Sequence, residues 1–190
     1  MKKRLFIAVD ISDEARSAAR TYIDLLKSKF PSAHVKWGDP ENLHLTVKFL
    51  GSTDNDLLPR VVNLVRQNAK DTKPFEIEIS GTGVFPSAKD PRVLWLGVKE
   101  TSGTMKHLAE LIDQDWSALG FEKETRAFKP HLTIARIRDP RRAADLGRQH
   151  QSNSFGPIRF VCDELVLYES QLGHGGSTYT KLATAKFSGV

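Results

Sequence analysis

The stretch Asn42–Gly51, with the sequence NLHLTVKFLG, contains a pattern that the chain repeats. The same order of histidine, leucine, threonine and an aliphatic residue returns at residues 131–134. In both copies apolar residues alternate with polar ones, which is typical of a β-strand with one buried face. The histidine and the threonine of each copy therefore share the other face of their strand, roughly 7 Å apart.

The repeat favours a functional interpretation of His44 and His131. A single histidine on a half-apolar strand is more often structural, because histidine is intermediate in burial. For average residue usage, a second His-Leu-Thr in a chain of this length arises by chance on the order of once in a thousand sequences or less. Two such strands facing each other would form a pocket with two imidazoles and two hydroxyls. These groups suit a tetrahedral oxyanion and proton transfer around it.

The composition is that of an ordinary globular protein. The chain has 190 residues, of which 39% are hydrophobic and 27% are charged, and its net charge of +5 permits an anionic partner without requiring one. Cys162 is the sole cysteine, which excludes an intramolecular disulfide and a cysteine-rich metal site. The apolar run at residues 5–9 is too short for a signal peptide or a membrane span. We therefore expect a cytoplasmic protein without a membrane partner.

Hydrophobic periodicity predicts elements in the order β-α-β-β-α-β, followed by β-α-β-(α)-β-β. Helices are predicted near residues 12–29, 57–65 and 105–119, with a short helix or loop at 140–150. The glycines and prolines of residues 81–92 predict a loop, and residues 160–168 predict a single strand.

This order of elements predicts the fold class and the domain organisation. Antiparallel sheets that pack on one face and stay open on the other place alternating polar residues on the open face. We therefore predict a bilobal α+β fold, in which two pseudo-symmetric antiparallel β-sheets line a central cleft and the helices lie outside. Residues 1–190 are predicted to form a single domain of two intertwined lobes, because no Pro- or Ser-rich linker divides the chain.

Five polar residues near the two histidines are candidates for binding a phosphate. Thr46 and Thr133 can donate hydroxyl hydrogen bonds to phosphate oxygens, although threonine is also common in strands for packing reasons. Lys48 continues the face of the first histidine by alternation, and either adds positive charge to the groove or reaches solvent. Arg136 falls on the opposite face from the second histidine, so it is structural unless a strand twist or a β-bulge brings it round. Arg126, just before the second motif, is a further candidate.

Aromatic residues and a metal site offer competing interpretations. Trp37, Phe49 and Trp95 are able to stack on a nucleobase, but core packing is the favoured interpretation of each. A metal site would need ligands beyond the two histidines, and neither motif has an H-E-x-x-H or H-x-D pattern beside it. We therefore predict no metal and no cofactor.

Several short motifs follow one another in a set order. They are residues 4–9 (RLFIAV), 35–37 (VKW), 40–51 (PENLHLTVKFLG), 85–86 (FP), 91–97 (PRVLWLG), 126–136 (RAFKPHLTIAR) and 167–170 (LYES), with Tyr179. In this order the chain resembles the two-histidine (2H) phosphoesterases, and within them the RNA 2′,3′-cyclic phosphodiesterases, formerly called 2′-5′ RNA ligases. The glycine-rich loop at 173–176, which contains His174, matches the family less regularly.

The resemblance implies that the chain hydrolyses the terminal 2′,3′-cyclic phosphate of RNA to a 2′-phosphomonoester without a metal. It implies that His44 is the proton donor and His131 the proton acceptor, roles that the near-identical surroundings of the two histidines do not assign. It also favours a phosphate contact for Arg136. The expected partner is RNA or a nucleotide with a cyclic phosphate end, and we expect a monomer. Two alternatives stay open: a non-catalytic module that binds RNA ends, and 2′-5′ RNA ligation by the reverse reaction.

Overall fold

The protein is built from two antiparallel sheets with helices on the outside. The computed structural model describes residues 1–173 and 176–189. Its strands are β1 (Lys2–Asp10), β2 (Val35–Trp37), β3 (His44–Asp54), β4 (Phe75–Ser87), β5 (Asp90–Lys99), β6 (His131–Ile137), β7 (Ile158–Cys162), β8 (Glu164–Gly173) and β9 (Gly176–Lys186). Its helices are α1 (Asp13–Lys29), α2 (Leu58–Lys70), α3 (Thr104–Ser117) and α4 (Ala144–Ser152).

Each sheet takes strands from both ends of the chain. The first sheet has the order β3-β1-β8-β9 and the second the order β2-β6-β5-β4-β7, and every neighbouring pair is antiparallel. The C-terminal strands β8 and β9 complete the first sheet, whereas the early strand β2 joins the second. The predicted α+β fold with two antiparallel sheets is confirmed.

One large hydrophobic cluster joins the two sheets. Buried side chains of the first sheet, such as Ile7 and Leu45, belong to the same cluster as Leu96 and Leu132 of the second. Helix α1 begins at a capping residue, Ser12, whose hydroxyl accepts a hydrogen bond from a first-turn amide, and it then packs its apolar face on this core. The shared core supports the single-domain organisation, which stays a prediction.

Both histidine-bearing strands contain a β-bulge at the same place in the motif. On β3, Thr46 pairs with Ala8 and Lys48 with Ile7, so Val47 is an extra residue. On β6, Thr133 and Ala135 pair with neighbouring residues of β5, so Ile134 is the extra residue. A bulge shifts the alternation of side chains by one position. Residues beyond the bulge therefore point to the opposite face from the one that strict alternation predicts.

Two predictions of local structure are wrong. Residues 81–92 form a β-hairpin rather than a loop, and the glycines sit where the strand is irregular: Gly81 has φ 76° at a register shift of β4. Gly83 lies against the indole of Trp95, where a Cβ would come within 2.1 Å of the ring. Residues 160–168 are two strands, because the chain passes from the second sheet to the first at Asp163.

The described helices include none that combines the length and the apolar character needed to cross a membrane. The cytoplasmic location stays a prediction.

A buried histidine joins α4 to the second sheet. His150 is fully buried, and its Nε2–H donates to the carbonyl oxygens of Gly83 and Trp95, each at 3.1 Å. Its Nδ1 accepts from the hydroxyl of Tyr22 at 2.9 Å, and that hydroxyl accepts from the amide of Asn153. Burial lowers the pKa of His150, since the charged form would lose its hydration. The ring is therefore a neutral structural group.

We expect His150 to make stability fall in mild acid. A histidine whose folded pKa lies below its unfolded value of 6.5 binds more protons in the unfolded chain, so its stabilising effect is present above 6.5 and is lost as the pH falls below it. Urea unfolding at pH 7.5 and 5.5 should show a smaller pH-dependent loss in His150→Gln than in the wild type. The variant should also be less stable at pH 7.5, by about 1–3 kcal/mol. Equal pH-dependent losses in the two proteins would contradict this role.

Candidate active site

A cleft of about 600 Å³ lies between the two sheets and contains both repeated motifs. The first sheet contributes His44, Thr46, Phe49 and Tyr179, and the second contributes Lys36, Trp37, His131, Thr133 and Arg136. Both histidines and both threonines are half-buried, so each is held by the protein and still reaches the cleft. The predicted convergence of the two motifs on one groove is what the structure shows.

The two histidine rings are held in the same way. Nδ1 of His44 lies 2.7 Å from the carbonyl oxygen of Asn42, and Nδ1 of His131 lies 2.8 Å from that of Lys129. A carbonyl oxygen only accepts, so Nδ1 carries the proton in both rings. In the neutral ring Nε2 is then the basic nitrogen, and in the charged ring it is a second donor. Each motif thus presents Nε2 as its proton-transferring atom.

The surroundings of the two rings differ, which the sequence does not reveal. His44 stacks on Phe6 with a centroid distance of 4.7 Å and meets the edge of Tyr179 at 5.2 Å. His131 meets Phe85 edge to face at 5.0 Å. Burial lowers the pKa of His44, an effect that the Asn42 carbonyl and the charge of Asp10 partly oppose.

Asp10 is an unforeseen part of the site. It pairs with His44 in the register of β1 and β3. One carboxylate oxygen accepts the hydroxyl of Tyr168 at 2.5 Å, and the other pairs with the ammonium of Lys181 at 2.6 Å. Burial and the adjacent carboxylate raise the pKa of Tyr168, so its hydroxyl stays a donor. Only the long-range register of β1, β3, β8 and β9 brings these groups together, and no local pattern indicates it.

Arg16 positions the backbone that precedes the first motif. From helix α1 its guanidinium donates to the carbonyl oxygens of Pro40 at 2.7 Å and Glu41 at 2.9 Å. These carbonyls belong to the short turn just before His44. The contact fixes the entry of the chain into β3, and no motif around Arg16 points to it.

The bulges decide which cations reach the cleft. Arg136 lines the cleft because the bulge at Ile134 returns it to the face of His131. Lys48 does not line it: the bulge on β3 turns this side chain to the buried face, where it pairs with Asp113. The prediction that Lys48 continues the histidine face is therefore wrong, because strict alternation fails one residue earlier.

Two further candidates also lie where the sequence did not place them. Arg126 is exposed and pairs with its neighbour Glu124, and it is not among the cleft-lining residues. Phe49 takes the position on β3 that Arg136 takes on β6, and its side chain is 62% exposed in the cleft. The prediction of core packing is therefore wrong for Phe49. Trp95 does pack, against the ring of Phe85 and over Gly83. Trp37 is half-buried and lines the cleft.

Two expectations concern the tip of the β8–β9 hairpin and metal ligands. His174 lies outside the described residues, although the flanking Gly173 and Ser177 line the cleft. Within residues 1–173 and 176–189, no three His, Cys, Asp or Glu side chains cluster as metal ligands would. The absence of a metal cofactor stays a prediction.

The comparisons with known proteins agree with the fold and the cleft. Residues 13–174 match the family model of the 2′-5′ RNA ligase superfamily. An RNA 2′,3′-cyclic phosphodiesterase of Methanothermobacter thermautotrophicus is 39% identical over 185 residues, covering 96% of this chain and 97% of that protein. Another of the same description, from Thermotoga maritima, is 32% identical over 188 residues and covers 98% and 96%.

Solved structures show the same architecture. The crystal structure of a Thermus thermophilus protein superposes with a TM-score of 0.81 at 27% identity, over 98% of each chain. Apo LigT of E. coli shares the fold, with a TM-score of 0.77 at 23% identity over 99% of each chain. The fold and the paired histidine motifs define a two-histidine phosphoesterase. The chain belongs to the 2′-5′ RNA ligase superfamily.

Asp10→Asn should lower the pKa of His44 further, because the variant loses the negative charge that opposes the effect of burial. A pH titration of the His44 ring protons by NMR measures this shift directly. If His44 is the proton donor, fewer molecules carry the required proton at pH 7, and kcat/KM should fall.

Asp71→Asn, at the exposed C-terminal end of α2, serves as the matched control and should leave the titration unchanged. An unchanged His44 titration in Asp10→Asn would contradict the electrostatic coupling. A lowered pKa with undiminished kcat/KM at pH 7 would instead contradict the donor role of His44.

Proposed function

We propose that this protein hydrolyses the terminal 2′,3′-cyclic phosphate of RNA to a 2′-phosphomonoester, with His44 as general acid and His131 as general base. The observation that carries the proposal is the pair of Nδ1-anchored imidazoles on facing sheets of one cleft. The relatives described as RNA 2′,3′-cyclic phosphodiesterases, which match over nearly the full chain, support the same substrate class.

The proposed reaction needs one proton taken and one proton given. Neutral His131 accepts a proton from water through Nε2 as the water oxygen attacks phosphorus. The bond between phosphorus and O3′ breaks, and protonated His44 donates the proton on its Nε2 to O3′. The products are a 2′-phosphomonoester and a free 3′-hydroxyl, and proton exchange with solvent restores both rings. Each proton transfer contributes about 10²–10⁴-fold, so charge stabilisation must supply a further part.

The groups that stabilise negative charge come from the same two strands. Thr46 and Thr133 lie next but one to the histidines on the cleft face, where their hydroxyls can donate to non-bridging phosphate oxygens. The guanidinium of Arg136 lies on this face too, and a planar two-pronged donor suits a phosphate better than a lysine does. Arg136 makes no ion pair with a residue that the structure describes, which leaves its charge available to the substrate.

Phe49 provides a platform for the terminal base. An exposed aromatic ring is unusual on a strand of a globular protein, and this one lies on the face of His44 and Thr46. Stacking accepts any base, because every base has a flat π-face. The cleft volume of about 600 Å³ is within the range of small-ligand sites, roughly 300–1,000 Å³. We infer that the terminal nucleoside lies between Phe49 and the phosphate-binding groups.

The reverse reaction, 2′-5′ ligation, uses the same groups with a 5′-hydroxyl in the place of water. The cleft is open to solvent, which favours water as the attacking group. Supplying RNA with a 5′-hydroxyl end to the reaction and looking for joined product tests this directly.

Both histidines should be indispensable for turnover. We expect His44→Ala and His131→Ala each to reduce kcat on a 2′,3′-cyclic-phosphate RNA by about 10²–10⁴-fold. His107→Ala, an exposed histidine on α3, is the matched control and should retain wild-type turnover. Detection of a 2′-phosphate product shows hydrolysis, and activity in EDTA should equal that without it.

Near-wild-type turnover in either active-site variant would refute the acid–base assignment. Tight binding of the RNA by the wild type without any 2′-phosphate product would favour the non-catalytic binding module instead.

Loss of the Phe49 ring should weaken substrate binding more than it slows chemistry. We expect Phe49→Ala to raise KM for a cyclic-phosphate nucleotide about tenfold, because base stacking contributes about 1–3 kcal/mol. Phe49→Tyr keeps the π-face and should behave like the wild type. Val161→Ala, at another exposed apolar residue, controls for a general effect of surface truncation. A wild-type KM in Phe49→Ala would refute the platform.

A further inference from the structure

The edge of the second sheet carries a row of cations that leads out of the cleft. Lys36 of β2 pairs in register with Arg136 of β6, and both line the cleft. His34 and Arg138 lie two residues beyond Lys36 and Arg136, just past the ends of the two strands, and both are exposed. The residues between, Val35 and Ile137, point towards the core. Beyond them, Arg142 reaches back so that its guanidinium donates to Nε2 of His34 at 2.7 Å.

These residues form one continuous surface, which we call the basic track. It consists of four cations, Lys36, Arg136, Arg138 and Arg142, and of His34, whose Nε2 accepts from Arg142. Side chains on one face of a strand follow each other at roughly 7 Å, so the charges are spaced along a line rather than gathered at one point.

Most charges of the basic track are unpaired. Within the described part of the chain, Lys36, Arg136 and Arg138 form no ion pair, and Arg142 has one exposed carboxylate, that of Asp139, at 3.7 Å. An exposed ion pair of this length is weak and contributes about 0–1 kcal/mol. The basic track therefore keeps a positive potential at its surface.

On the opposite side of the cleft, the cations of β9 are paired with carboxylates, whereas Arg4 of β1 is exposed and forms no ion pair with a described residue. Lys181 of the first sheet pairs with Asp10 at 2.6 Å and lies 4.0 Å from Glu164. Arg20, near the turn before β3, pairs with Glu41. A polyanion that leaves the cleft is consequently attracted towards β2 and β6 and not towards β8 and β9.

We propose that the basic track binds the backbone of the RNA upstream of the cyclic phosphate end, with Arg138 and Arg142 contacting phosphates outside the catalytic cleft. The proposal rests on the proposed function and goes beyond it, because it distinguishes RNA from cyclic mononucleotides. Contacts of arginine with phosphate carry no sequence information, so the basic track selects for an RNA chain and not for a base sequence. Binding of this kind weakens as salt displaces the protein from the phosphates.

The test compares one short RNA oligonucleotide that ends in a 2′,3′-cyclic phosphate with 2′,3′-cyclic AMP. Arg138→Ala, Arg142→Ala and the double variant remove the outer cations and leave the cleft-lining residues intact. For each single variant we expect KM for the oligonucleotide to rise about threefold to tenfold, with a shallower dependence on salt. Kinetics on 2′,3′-cyclic AMP should be unchanged. Arg66→Ala on the exposed face of α2 is the matched control and should affect neither substrate.

The possible results separate this inference from the proposed function. If the wild type hydrolyses both substrates and the arginine variants alter neither, or alter both equally, the basic track is refuted while the activity stands. If the wild type hydrolyses neither substrate, the proposed function itself fails.

Discussion

The site depends on one backbone constraint, the β-bulge that each histidine strand carries after its threonine. In a regular strand, strict alternation would point Phe49 and Arg136, five positions after each histidine, into the core. The bulges at Val47 and Ile134 shift the alternation by one position. With them, β6 presents Arg136 and β3 presents Phe49 next to a histidine and a threonine. The same bulge therefore brings different side chains into the cleft: on β6 an arginine, which suits a phosphate, and on β3 an aromatic ring, which suits a base. The two strands occupy pseudo-symmetric places in the fold, and they differ at one position of the motif, which is Phe49 on β3 and Arg136 on β6.

Rigid attachment of both rings follows from the same strands. Each histidine donates through Nδ1 to the carbonyl two residues earlier, so the strand that carries the ring also fixes its orientation and its proton. The shared core keeps the two sheets in place, because residues of both belong to one buried cluster. The aromatic and carboxylate groups around His44 then distinguish it from His131. Two similar strands therefore hold two imidazoles whose chemical surroundings differ.

The sequence predicted what depends on local pattern and missed what depends on register. Alternation and the repeat correctly predicted that the histidine and the threonine of each motif share the open face of their sheet. The bulges have no glycine or proline to signal them, and the assignments of Lys48 and Phe49 were consequently exchanged. In β4 the glycines led to the opposite error, because they predicted a loop where the structure has a strand. Gly81 lies at a register shift and Gly83 lies against the indole of Trp95. The role of Asp10 could not be predicted, because only the pairing of strands distant in sequence brings it close to His44 and Tyr168.

The central claim is that both imidazoles act on one phosphate across the cleft. The most direct measurement is a crystal structure with a nucleoside 2′-monophosphate, the product of the proposed reaction. The account predicts Nε2 of His44 within about 2.6–3.2 Å of O3′ and Nε2 of His131 within the same distance of a phosphate oxygen. Arg136 should contact that same phosphate. A product that touches only one of the two histidines, or that binds outside the cleft, would contradict it.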